Sequence, residues 1–234
     1  MFARLKASEK TLYYINRKCK GDASETGLVQ FAQAIYDLDE YRSKYPPLKD
    51  DKGNDIMIPF SSDIKFNLFV RDMSAGPGGL CVYMKGAPER ILTRCSKILV
   101  HGEEQEFTPE LREEVNKANS DFGALGERVL AFAKCNLDPA KYTKDYKFDI
   151  KTWKTWGLNP KQSAIQYAEV PGSFPMHDLT LMGVVSLNDP PRPQVDLSVN
   201  KCRAAGIKVI MVTGDQPPTA AAIAQKVNII KHPK

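Results

Sequence analysis

This 234-residue sequence predicts a mixed α+β or α/β fold: a largely antiparallel sheet flanked by helices, followed by a partial βα unit. Three observations predict it. Ser74-Ala75-Gly76-Pro77-Gly78-Gly79 is a turn between two apolar runs, so the strands on either side form an antiparallel hairpin. Thr108-Pro109-Glu110 opens a segment in which Leu111, Val115, Ala118 and Phe122 recur at i, i+4, i+7 and i+11, the spacing of one helix face. Near the end, a helix over 194–205, a strand over 207–213 and a helix from about Pro217 give the alternation of doubly wound sheets.

Taken in order, residues 1–20 are polar and basic, with Leu12, Tyr13, Tyr14 and Ile15 a candidate short strand or helix. Ser24 reads as an N-cap, and Leu28, Phe31, Ala32 and Ile35 follow at helical spacing. Glu25 falls in the first turn, where the helix dipole favours an acid whether or not it has another role. Residues 37–55, with Pro46-Pro47 and a Lys/Asp/Gly cluster, read as an exposed loop. The strand over 64–70 points Phe66, Leu68 and Val70 to the core. Its other face carries Lys65, Asn67 and Phe69, putting a cation and an amide about 7 Å apart. Phe60 follows a proline and precedes Ser61-Ser62-Asp63; such an aromatic either joins the core or stacks on a base.

The apolar run Leu80-Cys81-Val82-Tyr83-Met84 enters Lys85-Gly86-Ala87-Pro88-Glu89, which reads as strand, tight turn and helix start. Pro88 suits the first helical turn, and Gly86 permits a close backbone approach. A lysine beside a glycine at a helix N-terminus suits a phosphate-bearing ligand, although a solvated lysine in a βα turn has the same sequence. Thr108 as N-cap and Pro109 at the first position start the next helix, and 123–126 ends it. Arg128 then stands at the entrance of a strand over 129–133, able to grip phosphate oxygens or a nearby carboxylate.

Residues 136–176 are polar and irregular, with Trp153 and Trp156 as anchors to the domain. A strand over 179–187 returns to the sheet. The prolines of Asp189-Pro190-Pro191-Arg192-Pro193 make a stiff connector suited to joining two domains. Thr213-Gly214-Asp215 ends the last predicted strand, where doubly wound folds place their ligands.

Charge and composition narrow the function classes. The net charge of +5 is spread along the chain among acids, without the concentrated basic stripe of a nucleic-acid binder. No apolar run is long enough to span a bilayer, and Met1-Phe2-Ala3-Arg4-Leu5 opens onto a polar stretch unlike a signal peptide. A soluble, cytosolic chain without nucleic-acid or membrane contact is expected. The five cysteines are odd in number, scattered and without a Cys-x-x-Cys pair, so they read as reduced and structural. His101, His177 and His232 are isolated, and no metal cluster is expected.

Several motifs occur in a fixed order: Gly21-Asp22-Ala23-Ser24-Glu25; Ile58-Pro59-Phe60 with Lys65; Lys85-Gly86-Ala87-Pro88-Glu89-Arg90; Gly126-Glu127-Arg128-Val129-Leu130; Asp189-Pro190-Pro191-Arg192; and Met211-Val212-Thr213-Gly214-Asp215. In that order they resemble the cytoplasmic nucleotide-binding domain of P-type cation-transporting ATPases, most closely the α subunits of sodium/potassium and proton/potassium pumps. The resemblance covers most of the chain and is weakest over 136–176. It implies an ATP-binding set of Glu25, Phe60, Lys65, Asn67, Lys85, Gly86, Arg128 and Arg192. In the family, Glu25 and Lys65 line the adenine pocket, Phe60 stacks on adenine and Arg128 meets the phosphates. The pumps usually carry glutamine at Asn67, one methylene longer. Asp189, Thr213, Gly214 and Asp215 match the phosphorylation-domain motifs.

The resemblance further implies two domains: residues 1–188 as the nucleotide-binding domain, and 189–234 as a partial, HAD-like phosphorylation domain. The family couples ATP hydrolysis to cation transport through an aspartyl-phosphate. Its Asp-Lys-Thr-Gly-Thr motif and its Thr-Gly-Asp-Gly-x-Asn-Asp run are not found here. The expectation is therefore an excised piece of a pump that binds ATP but supplies no catalytic residue and no metal ligand. Magnesium would belong to the full-length enzyme. The expected partners are ATP, the remaining domains of the pump and an accessory subunit; the expected location is the cytoplasmic side of an integral protein of the plasma membrane. The alternatives are a non-catalytic nucleotide-binding or interaction module of the same fold, or a pump for another cation such as a proton or calcium.

Overall fold

The computed structural model describes residues 19, 21–76, 78–155, 171–188, 190–215 and 217–230. The candidate element at 12–15, Trp156 and Asp189 lie outside them. The first helix, α1 (Ala23–Ile35), is capped by Asp22 rather than the expected Ser24: the Asp22 carboxylate accepts the Glu25 N–H at 3.0 Å. A carboxylate adds a dipole interaction to the cap hydrogen bond, and its use leaves the Ser24 hydroxyl available elsewhere. Phe31 and Ile35, on the expected apolar face, are 62% and 58% exposed, while Gln33 is buried. Periodicity identifies the helix; which side packs depends on the neighbour.

The segment expected as loop over 37–55 contains a short helix, α2 (Leu38–Lys44). Asp37 caps it by accepting the Asp39 and Glu40 N–H groups, with acids in the first turn and Arg42 and Lys44 in the last. Complementing the dipole at both ends makes a helix of a polar stretch that looks like loop.

The sheet follows: β1 (Met57–Ile58), β2 (Phe66–Asp72) and β3 (Leu80–Gly86), then the short helix α3 (Pro88–Ile91) with Pro88 in its first turn. Next come β4 (Cys95–Val100), β5 (Glu103–Glu106), helix α4 (Pro109–Ala124), β6 (Arg128–Asn136) and β7 (Leu179–Leu187). The seven strands lie in the order β1-β2-β3-β6-β7-β4-β5. Among the described residues every pairing is antiparallel except β4 with β7. The predicted hairpin joins β2 to β3, and Thr108 caps α4 as expected.

One face of the sheet carries the core: Phe66, Leu68 and Val70 from β2, Val82 and Met84 from β3, Ala131 and Ala133 from β6, Leu179 and Leu181 from β7. Leu111 and Val115 of α4 pack against this cluster, as do Tyr146, Phe148 and Trp153 from the irregular segment. Trp153 meets Phe66 edge-on at 6.4 Å, which is the anchoring expected of it.

β2 begins two residues later than expected, because Lys65 adopts a left-handed φ of 58° just before it. Lys65 therefore reaches Asn67's side of the sheet by a backbone turn and not by strand alternation. Beyond the proline connector lie α5 (Val195–Ala204) and α6 (Pro217–Lys226). The expected strand over 207–213 does not form: none of the seven strands pairs with it, and Val212 is 93% exposed. A strand exists only through ladder hydrogen bonds, and among the described residues this segment forms none with the sheet. The tail instead seats α6 on the end of α4. Thr219 Oγ1 donates to the Glu127 carbonyl at 3.3 Å, and Lys226 Nζ donates to the Leu125 carbonyl.

Candidate functional site

The face of the sheet opposite the core opens, around Asn67 and Lys85, into a cleft of about 820 Å³. That is a normal size for a small-molecule site. Asn67 on β2 and Lys85 on β3 are direct cross-strand partners, so the hairpin sets an amide and a cation side by side. Phe60 lines the cleft from the loop before β2 and is 63% exposed, so it is not a core residue. Glu25 comes from the first turn of α1, Lys65 from the turn into β2, and Arg128 from the start of β6. Thr213, Gly214 and Asp215 arrive from the tail.

Gly86 is required by packing. A Cβ there would lie 2.6 Å from Phe66 Cα and would also strike the Lys65 carbonyl. The two chains press together because Gly86 pairs with Phe66 while the Ala87 N–H donates to the Lys65 carbonyl at 2.9 Å. The glycine thus places Lys65 and Lys85 at one rim.

Each cation of the cleft holds a carboxylate. Lys85 Nζ meets Glu25 Oε1 at 2.5 Å, and Lys65 Nζ meets Glu89 Oε1 at 3.4 Å. Arg128 donates from Nε and Nη2 to Asp215 Oδ1 at 3.2 and 3.0 Å, and from Nη1 to Ser24 Oγ at 2.9 Å. Asn67 differs from these. Its Oδ1 is buried and accepts no hydrogen bond from the described residues. A buried acceptor without a donor costs about 1–3 kcal/mol.

The structure brings most of the sequence-predicted residues into one place. Glu25, Phe60, Lys65, Asn67, Lys85, Gly86, Arg128, Thr213, Gly214 and Asp215 all line one cleft. Arg192 does not: it is exposed on the connector, where its carbonyl accepts the Val195 N–H. Sequence reasoning missed Ser24 as a partner of Arg128 and Glu89 as a partner of Lys65. It also missed Asn119 and Ser120, whose polar side of α4 forms a wall. That polar side was the readable signal, since it is the complement of the apolar face used to find the helix. Among the described residues no three His, Cys, Asp or Glu side chains converge on a metal position.

Residues 3–194 match the family model for the P-type ATPase cytoplasmic domain N. The chain belongs to the P-type cation-transporting ATPase family. Among curated P-type ATPases, the chain is 39% identical over 229 residues to the sodium/potassium-transporting ATPase subunit alpha-2 of Gallus gallus and, equally, to the subunit alpha of Hydra vulgaris. It is 38% identical to the subunit alpha of Tetronarce californica. Each of these alignments covers 97% of this chain and 20% of the relative, so the chain spans about a fifth of the length of the P-type ATPases it matches. The seven-stranded sheet with flanking helices is the fold of the family's nucleotide-binding domain. Among the described residues no helix is long and apolar enough to cross a membrane.

Proposed function

We propose that this chain binds ATP in the cleft, as the nucleotide-binding part of a pump that uses an aspartyl-phosphate to move a cation of the sodium/potassium kind. Residues 1–188 are the nucleotide-binding domain, and 189–234 begin the phosphorylation domain, the boundary falling just after β7. Phe60 stacks on the base, and Lys65, Asn67 and Glu25 surround it. Lys85, Gly86 and Arg128 take the phosphates. The family uses magnesium, whose ligands lie elsewhere in the pump. The remaining pump domains and an accessory subunit are the partners, and the site faces the cytoplasm, at the plasma membrane.

The observation that carries this reading is a single cleft that brings together an exposed aromatic ring, Phe60, and three cations, Lys65, Lys85 and Arg128. An adenine nucleotide offers Phe60 a π face and carries phosphates toward Lys85 and Arg128. Because those cations already hold carboxylates, the net gain on binding is small. Affinity near the millimolar range is expected, about −4 kcal/mol. Titration calorimetry with ATP, with and without magnesium, measures it. Sub-micromolar affinity, or chemical-shift changes that spare Phe60 and Asn67, would show that the cleft has been misassigned.

A further inference from the structure

Arg128 differs from the other two cations of the cleft in where its partner comes from. Glu25 and Glu89 precede the proline connector, as do the lysines they meet. Asp215 lies beyond the connector, 87 residues from Arg128. It is braced there, since its Oδ2 accepts the Thr213 hydroxyl at 3.1 Å and its N–H donates to Thr213 Oγ1 at 3.1 Å. The seating of α6 on the turn before Arg128, through Thr219 and Lys226, holds this carboxylate in place. Ser24 takes a third donor of the guanidinium.

A carboxylate on Nε and Nη2 uses the same guanidinium edge that a phosphate would use. The two anions are therefore alternatives for the same N–H groups. We propose that Asp215 is a built-in competitor at the phosphate-binding arginine: it occupies Arg128 until the phosphates of an incoming nucleotide displace it. This rests on the reading of the cleft as a nucleotide site. Two consequences follow from the geometry. A nucleotide with a polyphosphate tail loses affinity to this competition, whereas a monophosphate too short to reach Arg128 does not. Displacement also releases the contact between Thr213-Gly214-Asp215 and the sheet domain, so nucleotide occupancy is coupled to the seating of the tail.

The test is a double-mutant cycle on the whole chain, with ADP and AMP as probes against wild type, Asp215→Asn, Arg128→Ala and the double variant; Asp215→Ala serves as a second removal of the charge. The pair is partly exposed, with side chains 43% and 19% accessible, so the effect is modest. Asp215→Asn is expected to tighten ADP about two- to fivefold and to leave AMP unchanged. In the Arg128→Ala background the same substitution is expected to do nothing. Simple repulsion between Asp215 and phosphate would survive loss of the arginine, so equal tightening in both backgrounds overturns the proposal. Weaker ADP binding in Asp215→Asn overturns it as well. A second readout needs no nucleotide: the Arg128 Nε–H resonance should shift in Asp215→Asn, and an unmoved resonance overturns the ion pair itself. If the resonance moves but no variant binds either nucleotide, the nucleotide reading falls and takes the competitor role with it. If nucleotides bind and the cycle is flat, only the competitor role falls.

Discussion

Phe60 and Arg128 line one cleft and are expected to fail differently when removed. Phe60→Ala takes away a stacking surface that ATP, ADP and AMP share, so all three should weaken by about 1–3 kcal/mol. Arg128→Ala removes charge-assisted hydrogen bonds, so its loss should fall on ATP and ADP more than on AMP. That loss should also shrink as salt screens the phosphates. Affinities for the three nucleotides at low and high salt separate these roles, and equal losses for Arg128→Ala across the series would contradict its assignment. The cysteines make a second prediction at this scale. Burial pushes the Cys81 thiol up to about 11 and the Cys95 thiol up to about 12, from an ordinary value of 9.0. Both are neutral thiols at neutral pH, so alkylation should miss them in the folded chain and reach them only on unfolding. The sign for stability follows. In the unfolded chain these thiols ionise near pH 9, whereas in the folded chain they hold their protons to about pH 11–12. Their contribution is therefore intact below about pH 9 and is lost as pH rises toward 11–12, which a urea titration across that range checks.

At the scale of single elements, α1 and β2 carry the most testable content. Asp22→Ala should cost about 0.5–2 kcal/mol by denaturant titration, since it leaves the Glu25 N–H without its cap. It should also weaken nucleotide binding, because Ser24 and Glu25 sit in the turn that the cap fixes. Leu68→Ala, at a fully buried position of β2, should cost about 2–5 kcal/mol without acting on the cleft face. The elements also explain what could be read in advance. The β2–β3 hairpin, α4 with its Thr108-Pro109 start, and the strand before Lys85 were legible because turn residues and periodicity agree there. The cap of α1, the start of β2 and the helix α2 were not. In each, a local choice between near-equal options was settled by contacts: Asp22 against Ser24, a left-handed Lys65 against a longer strand, capped acids against a polar loop. Lys65 is instructive, since a strained backbone at a lysine departs from local preference at the very place where the cleft is built. The convergence of Arg128, Ser24 and Asp215 was beyond reach, because no spacing rule links positions separated by 87 and 104 residues.

For the whole molecule, the expectation is binding without turnover. The chain carries no Asp-Lys-Thr-Gly-Thr motif, and Asp215 is engaged with Arg128 and Thr213. Incubation with γ-labelled ATP should therefore give no acid-stable, hydroxylamine-sensitive phosphoenzyme, and a labelled chain would refute the reading of this piece as a nucleotide-binding part alone. The family match and the sheet agree at this scale, and so do the ordered motifs, because a fold of this size is over-determined by many independent local signals.

The parallel pairing of β4 with β7 has a further consequence for how the chain comes into being. β7 lies between β6 and β4, yet it is the last strand of the sheet to be synthesised. Until it emerges from the ribosome, β1, β2, β3 and β6 can form one sheet and β4 with β5 a separate hairpin, with the β6 and β4 edges still uncovered. Insertion of Leu179–Leu187 covers the β6 and β4 edges in one event. A nascent chain stalled before this strand is exposed to misassembly through the β6 and β4 edges, and one stalled after it keeps only the outer edges of β1 and β5. Protease resistance measured on stalled nascent chains should therefore rise in a single step as β7 clears the tunnel.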